Sequence, residues 1–129
     1  MEGSALTRLI RCDMKGELSD YSIRFAIRVV AYYNWLVNER KEYVMSRQIL
    51  RSGTSIGANI HEAEYAASKA VFRNKLKIAA KEANETEYWL IVLESTGYFD
   101  ASFDDLKPLL KSMIKMLTAA LRSLDSQSG

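Results

Sequence analysis

Apolar residues recur at helical spacing in four separate blocks of this chain, with polar runs between them. The clearest block is 72–93, where Phe72, Leu76, Ala79, Ala83, Thr86, Leu90 and Leu93 alternate steps of four and three. That is the seam of a helix packed along its length. The alanines and Thr86 let a neighbouring backbone come close, Ser68 stands where an N-cap belongs, and Gly97 supplies the left-handed residue that ends many helices. A second such seam, Leu106, Leu110, Met113, Leu117, Ala120 and Leu124, predicts the last helix. Ahead of it, Ser102 and Asp105 resemble a capping box with aspartate in the glutamate's place. Pro108 either sits in the first turn, where its missing N–H costs least, or delays the start by a turn.

The two earlier blocks are less regular. A helix over 20–40, with Ser19 or Asp20 as N-cap, carries Ile23, Ile27, Val30 and Val37 on one side. Phe25, Val29, Tyr32 and Leu36 lie nearly opposite, and Ala26 and Tyr33 bridge the two groups. Half of such an arc would suffice for a surface helix of a monomer. The expectation is therefore a second face buried against another subunit; if Phe25 and Leu36 face that partner, a glutamate at either dissociates it. In the block from 45 to 65, Met45, Ile49, Ile56, Ile60 and Ala63 share one face. Gly53 and Gly57 sit inside this helix, each costing roughly 1 kcal/mol against alanine. Their four-residue spacing places both on one side, the arrangement that lets two helices approach closely.

Beside the isoleucines runs a polar row: Gln48, Arg51, Ser55, Asn59 and Glu62. A row flanking a core seam is partly buried and needs partners. It is either a hydrogen-bond network that sets helix register, in which case Asn59→Ala costs ~1–3 kcal/mol, or the edge of a binding site. Four helices joined by short turns predict an all-α, up-down-up-down antiparallel four-helix bundle over 19–125. Residues 1–18 read as a mobile leader and 126–129 as a polar tail.

Composition narrows the function classes. The chain of 129 residues is one domain by length, and one proline with six glycines favours long helices. Cys12 is the lone cysteine, so no disulfide forms within the chain, as suits a reducing cytoplasm. No apolar run approaches the ~18 residues of a membrane helix, and 1–19 lacks the apolar region of a signal peptide. A cytoplasmic protein is the expectation. His61, the one histidine, adjoins Glu62, but no Glu-x-x-His pair accompanies it, so neither a metal nor another cofactor is expected. The run from Gly53 to Gly57 lacks the Lys-Ser/Thr ending and the preceding strand of a phosphate loop. With no Ser/His/Asp or Cys/His set, the reading is not an enzyme.

The formal charge of +2 neither demands nor excludes nucleic acid, so the layout of charge decides. Lys69, Arg73, Lys77 and Lys81 step by four along the third helix; Lys107, Lys111 and Lys115 do the same on the fourth, with Arg122 beyond. Arg24 and Arg28 lie on the first helix beside Trp35. Cations at one-turn spacing can follow phosphates, and an exposed tryptophan can stack on a base. The same rows also suit plain solvated faces, and Glu82, Glu85, Glu87 and Glu94 make the far end of the third helix acidic.

The string R-S-G-T-S-I-G-A-N-I-H-E-A, followed by K-E-A-N-E-T-E-Y-W-L, resembles the four-helix-bundle family of 23S rRNA intervening-sequence proteins. The family pattern falls on Gln48, Arg51, Ser55, Ile56, Asn59, Ile60 and Glu62, then on Phe72, Leu76, Ile78, Ala79 and Glu85. Many members carry proline where Gly57 stands and glycine where Ala63 stands. The resemblance implies a homo-oligomer, a pentamer around a central channel. It further implies a non-catalytic module for structured RNA, or an accessory to a reverse transcriptase such as those of diversity-generating retroelements. The alternative is a structural or protein-adaptor oligomer without a nucleic-acid ligand.

Overall fold

The four seams meet in one core. In the computed structural model, which describes residues 14–128, four helices run over Ser19–Asn38 (α1), Met45–Ala63 (α2), Lys69–Ser95 (α3) and Leu106–Ser128 (α4), with no strand among the described residues. Each helix packs on the next and α1 closes on α4, which makes a four-helix bundle. Phe25, Tyr32, Ile49, Ile56, Phe72, Leu76 and Leu106 are among the fully buried side chains. At ~1.5–3 kcal/mol for each large apolar side chain removed from water, this seam is the main stabilising term.

α1 decides which of its two apolar sides is core. Phe25, Val29, Tyr32 and Leu36 are wholly buried within this one chain, so they do not face a partner. Ile23, Ile27 and Val30 point outward, 55%, 63% and 42% exposed. Neither Ser19 nor Asp20 caps the helix. Leu18 has helical angles (φ −65°, ψ −41°), and a wider π-type turn over Met14–Leu18 leads directly into α1. Leu18 is buried in the core, so the boundary expected after residue 18 falls inside a continuous helical stretch. The remainder of the expected leader, 1–13, lies outside the described residues.

Gly53 and Gly57 do what their spacing predicts. A Cβ on Gly53 would stand 3.0 Å from both methyls of Val29, and one on Gly57 would stand 3.1 Å from the Ser22 hydroxyl. The bare Cα positions thus let α2 settle onto α1. At the α2 N-terminus, Glu42 accepts from the amides of Val44 (3.2 Å), Met45 (3.1 Å) and Ser46 (2.7 Å). A carboxylate there satisfies orphan donors and complements the helix dipole.

Ser68 caps α3, accepting from the Val71 amide at 3.2 Å. At the other end Gly97 adopts φ +86°, with Gly97 N–H donating to Glu94 O (3.1 Å) and Tyr98 N–H to Leu93 O (2.8 Å). This paired closure satisfies carbonyls the helix end would leave bare. Inside the core, Thr86 donates to the Glu82 carbonyl at 2.7 Å and lies 2.8 Å from the Ser52 hydroxyl, so its polarity is met at the α2–α3 contact. The expected Ser102–Asp105 capping box does not form. Asp100 instead caps a short 3-10 turn over Ala101–Phe103, α4 starts one turn later at Leu106, and Pro108 falls in its first turn. α4 continues to Ser128, through most of the stretch expected as a tail.

Candidate nucleic-acid interface

Two ion pairs tie α3 to α4. Near the start of α3, Arg73 meets Asp125 Oδ1 through Nε (2.8 Å) and Nη2 (2.6 Å). At the end of α3, Glu94 pairs with Lys107. One turn on from Arg73 stands Lys77, and one turn back from Asp125 stands Arg122, so the two cations share a level across the seam. Lys81 follows on α3; Lys115 and Lys111 follow on α4. Lys77, Lys81, Lys111, Lys115 and Arg122 are all exposed, and none has an ion pair with another described residue. The two lysine rows of the sequence therefore lie on adjacent helices clamped together at both ends, and make up one candidate basic face.

The acidic end of α3 largely disappears from that face. Glu82 is buried and meets Arg51 Nη1 at 3.1 Å. Glu85 pairs with the other arm of Arg51 and accepts from Trp89 Nε1 at 3.1 Å. The Arg51 bond, and after it the Trp89 bond, hold the Glu85 carboxyl below the usual carboxylate range; the same pairing raises Arg51. With Glu94 taken by Lys107, Glu87 is the carboxylate of that cluster left without an ion pair among the described residues.

The other candidates are placed less favourably for phosphate. Lys69 is half-buried in the first turn of α3. Arg28 forks onto Asp105 (Nε–Oδ2 2.7 Å, Nη2–Oδ1 3.3 Å), donates to Ser102 O at 2.8 Å and lies over the Phe103 ring, so its donors are engaged. Arg24 lies over the ring of Tyr21. Trp35 is not the open stacking surface the sequence suggests. Its ring is stacked on Tyr32 (centroids 6.1 Å), tilted against Phe103 (5.6 Å) and covered by the Arg40 guanidinium (5.5 Å). The connection before α4 folds over it, which no single-helix projection can reveal. In the same cluster the Tyr32 hydroxyl donates to Tyr98 O, and burial pushes its phenol far up.

The polar row of α2 does not act as one network. Gln48 is exposed. Ser55 donates to Arg51 O (2.7 Å) and Asn59 to Ser55 O (2.9 Å), both local to the helix. Only Arg51, and Glu62 through Lys75 (2.6 Å), cross to α3. The Lys75 hydrogen bond holds the Glu62 carboxyl low. Asn59→Ala therefore removes one local bond and orphans no partner across the interface, which lowers its expected cost below ~1 kcal/mol.

Sequence reasoning missed a groove between α3 and α4. It measures about 580 Å³ and is lined by Leu90, Ile91, Pro108 and Leu110, with Glu87, Lys107 and Lys111 at its rim. Ile91, apolar yet outside the α3 seam, was its signal in the sequence. Among the described residues, no group of three His, Cys, Asp or Glu side chains is placed to hold a metal ion, and no helix is long and apolar enough to cross a membrane.

Fold and surface together define a small four-helix bundle that carries five exposed cations without ion pairs, among the described residues, on one pair of helices. The chain belongs to the 23S rRNA-intervening sequence protein family, whose sequence model matches residues 15–119. It is similar to a crystallised protein of unknown function from the S23 ribosomal protein family of Bacteroides thetaiotaomicron VPI-5482, with 51% identity over 84% of this chain and 98% of that one, at a TM-score of 0.80. Comparison with curated proteins returns no match.

Proposed function

We propose that this protein is a non-catalytic, cytoplasmic homo-oligomer that binds nucleic acid, as structured RNA or within a reverse-transcriptase complex, through the α3/α4 face. The observation that carries the reading is the run of five exposed cations without ion pairs among the described residues, Lys77, Lys81, Lys111, Lys115 and Arg122, on adjacent helices. Spacing of one helical turn suits a phosphate backbone, and binding of this kind releases counterions. The end-to-end ion pairs of α3 and α4 support an up-down-up-down course of the helices. The outward strip of Ile23, Ile27 and Val30 supports self-assembly, in a ring of five as the family resemblance implies. Repeating the basic face around an oligomer raises avidity without any new contact.

The test is a fluorescence-anisotropy titration of a hairpin RNA at several salt concentrations, with wild type and the Lys77→Gln/Arg122→Gln variant in parallel. Affinity should fall steeply with salt, and the variant should bind more weakly with a shallower slope, by roughly 0.7–0.9 for each phosphate it no longer neutralises. Equal binding by the variant removes this face from the interaction. Absence of binding at low salt favours the second reading, a protein-adaptor oligomer, for which the exposed strip of α1 is the supporting observation.

A further inference from the structure

The basic face is not uniformly polar. Tyr88 and Ile91 on α3 are 57% and 55% exposed amid the lysines, and Ile91 lines the 580 Å³ groove with Leu90, Pro108 and Leu110. A phosphate is a poor occupant of that groove. Its walls are apolar, and a phosphate would have to shed its water to enter between them. A nucleobase fits better: flat, neutral and apolar on its faces, it carries ring-edge amino groups that a carboxylate accepts. Lys111 at the rim and Lys115 one turn along α4 then lie within a nucleotide's reach for the flanking phosphates. Tyr88, one turn before Ile91 and outside the groove's lining, adds an exposed aromatic surface beside it; its ring meets Trp89 edge-to-face at 5.0 Å. Of the two other exposed tyrosines, Tyr65 follows the end of α2 close to Glu62 and Glu64, a poor place for a polyanion, and Tyr43 lies in the α1–α2 connection, away from the groove.

We propose that the α3/α4 groove takes an unpaired base of a single-stranded or looped nucleic acid, with Tyr88 beside the groove stacking on the neighbouring base and Lys111 and Lys115 on the adjoining phosphates. This rests on the reading of the α3/α4 face as a nucleic-acid interface and adds that the face selects unpaired over paired strands. A duplex keeps its bases stacked inside and can use only the lysines.

The experiment compares wild type, Tyr88→Ala and Tyr88→Phe by anisotropy at low salt. The probes are a labelled single-stranded RNA, the DNA of the same sequence, and the RNA annealed to its complement. Tyr88→Ala should lose about tenfold in affinity for whichever single strand the wild type binds, the size of one base–aromatic stack. The duplex should stay within about twofold, and Tyr88→Phe, which keeps the ring, should match wild type. Equal loss on single strand and duplex, or no loss on the single strand, overturns the inference and leaves the basic face standing. A changed elution volume for Tyr88→Ala also overturns it, because the patch is then a protein contact. Wild type that binds none of the probes overturns the interface and the groove together.

Discussion

The α1–α2 and α3–α4 contacts solve the same packing problem in opposite ways. At α1–α2, two glycines leave room for Val29 and Ser22, and the helices close on each other. At α3–α4, long side chains stand at the seam, ion pairs clamp its two ends, and a groove stays open between them. Small residues exclude water and give stability. Large and charged ones hold the helices apart and leave surface that can bind. The stabilising seam and the candidate binding seam are thus different parts of the bundle, and substitutions should sort accordingly.

The largest effect is expected in the core of α1. Phe25→Glu buries a lone carboxylate among apolar side chains, a cost of several kcal/mol, and should abolish the helical circular-dichroism signal. Ile27→Glu, on the outward side of the same helix, should leave that signal intact, and the mass measured by light scattering tests whether the proposed self-assembly uses this strip. Retained helicity in Phe25→Glu would contradict its place in the core. Next comes the glycine contact. Gly53→Leu forces a side chain into Val29, already 3.0 Å from where a Cβ would stand. A loss of ~2–3 kcal/mol is expected from overpacking, read as a lower urea midpoint; an unchanged midpoint would mean the α1–α2 contact can open freely.

A smaller effect belongs to the Arg51 pairing at α2–α3. The Glu85 carboxyl sits below its ordinary value in the folded chain because Arg51 and then Trp89 hydrogen-bond to it. Its contribution is therefore complete above the unfolded glutamate pKa of about 4.3 and is lost as pH falls through the lower folded value. The melting temperature should hold steady from neutrality down to about pH 5 and then decline. Arg51→Gln should decline less steeply over that acid range, and parallel curves for the two proteins would remove this pair from the acid response. The smallest effect is at the clamps of α3–α4. Arg73→Gln and Lys107→Gln break half-exposed pairs, worth under ~1 kcal/mol each, and thermal melts should barely move. A large drop for either would mean that the groove wall, and not the glycine contact, holds the bundle.

The periodicity of the seams was enough to find all four helices, the Ser68 cap, the Gly97 terminus and the close approach at Gly53 and Gly57. Each of these depends on neighbours within a few residues, or on a missing Cβ whose meaning is the same in any partner. The candidate site was legible only in fragments. The rows of Lys77 and Lys81, and of Lys111, Lys115 and Arg122, were visible, but nothing local said that they join. Arg28 and Arg73 looked as available as Lys77, until Asp105 and Asp125, distant in sequence, engaged them.

What the sequence determined by itself was therefore set by rotation about one helix axis (which residues share a face) and by the local chemistry of Ser68 and Gly97 (where α3 starts and stops). The tertiary structure alone decided which face met which. It chose Phe25, Val29, Tyr32 and Leu36 as α1's core side and left Ile23, Ile27 and Val30 outside. It covered Trp35 with Phe103 and Arg40, and it opened the groove beside Ile91 and Pro108. A helical projection gives angles around one axis and carries no information about the other three. Burial, ion pairing and the shape of a groove arise only between axes.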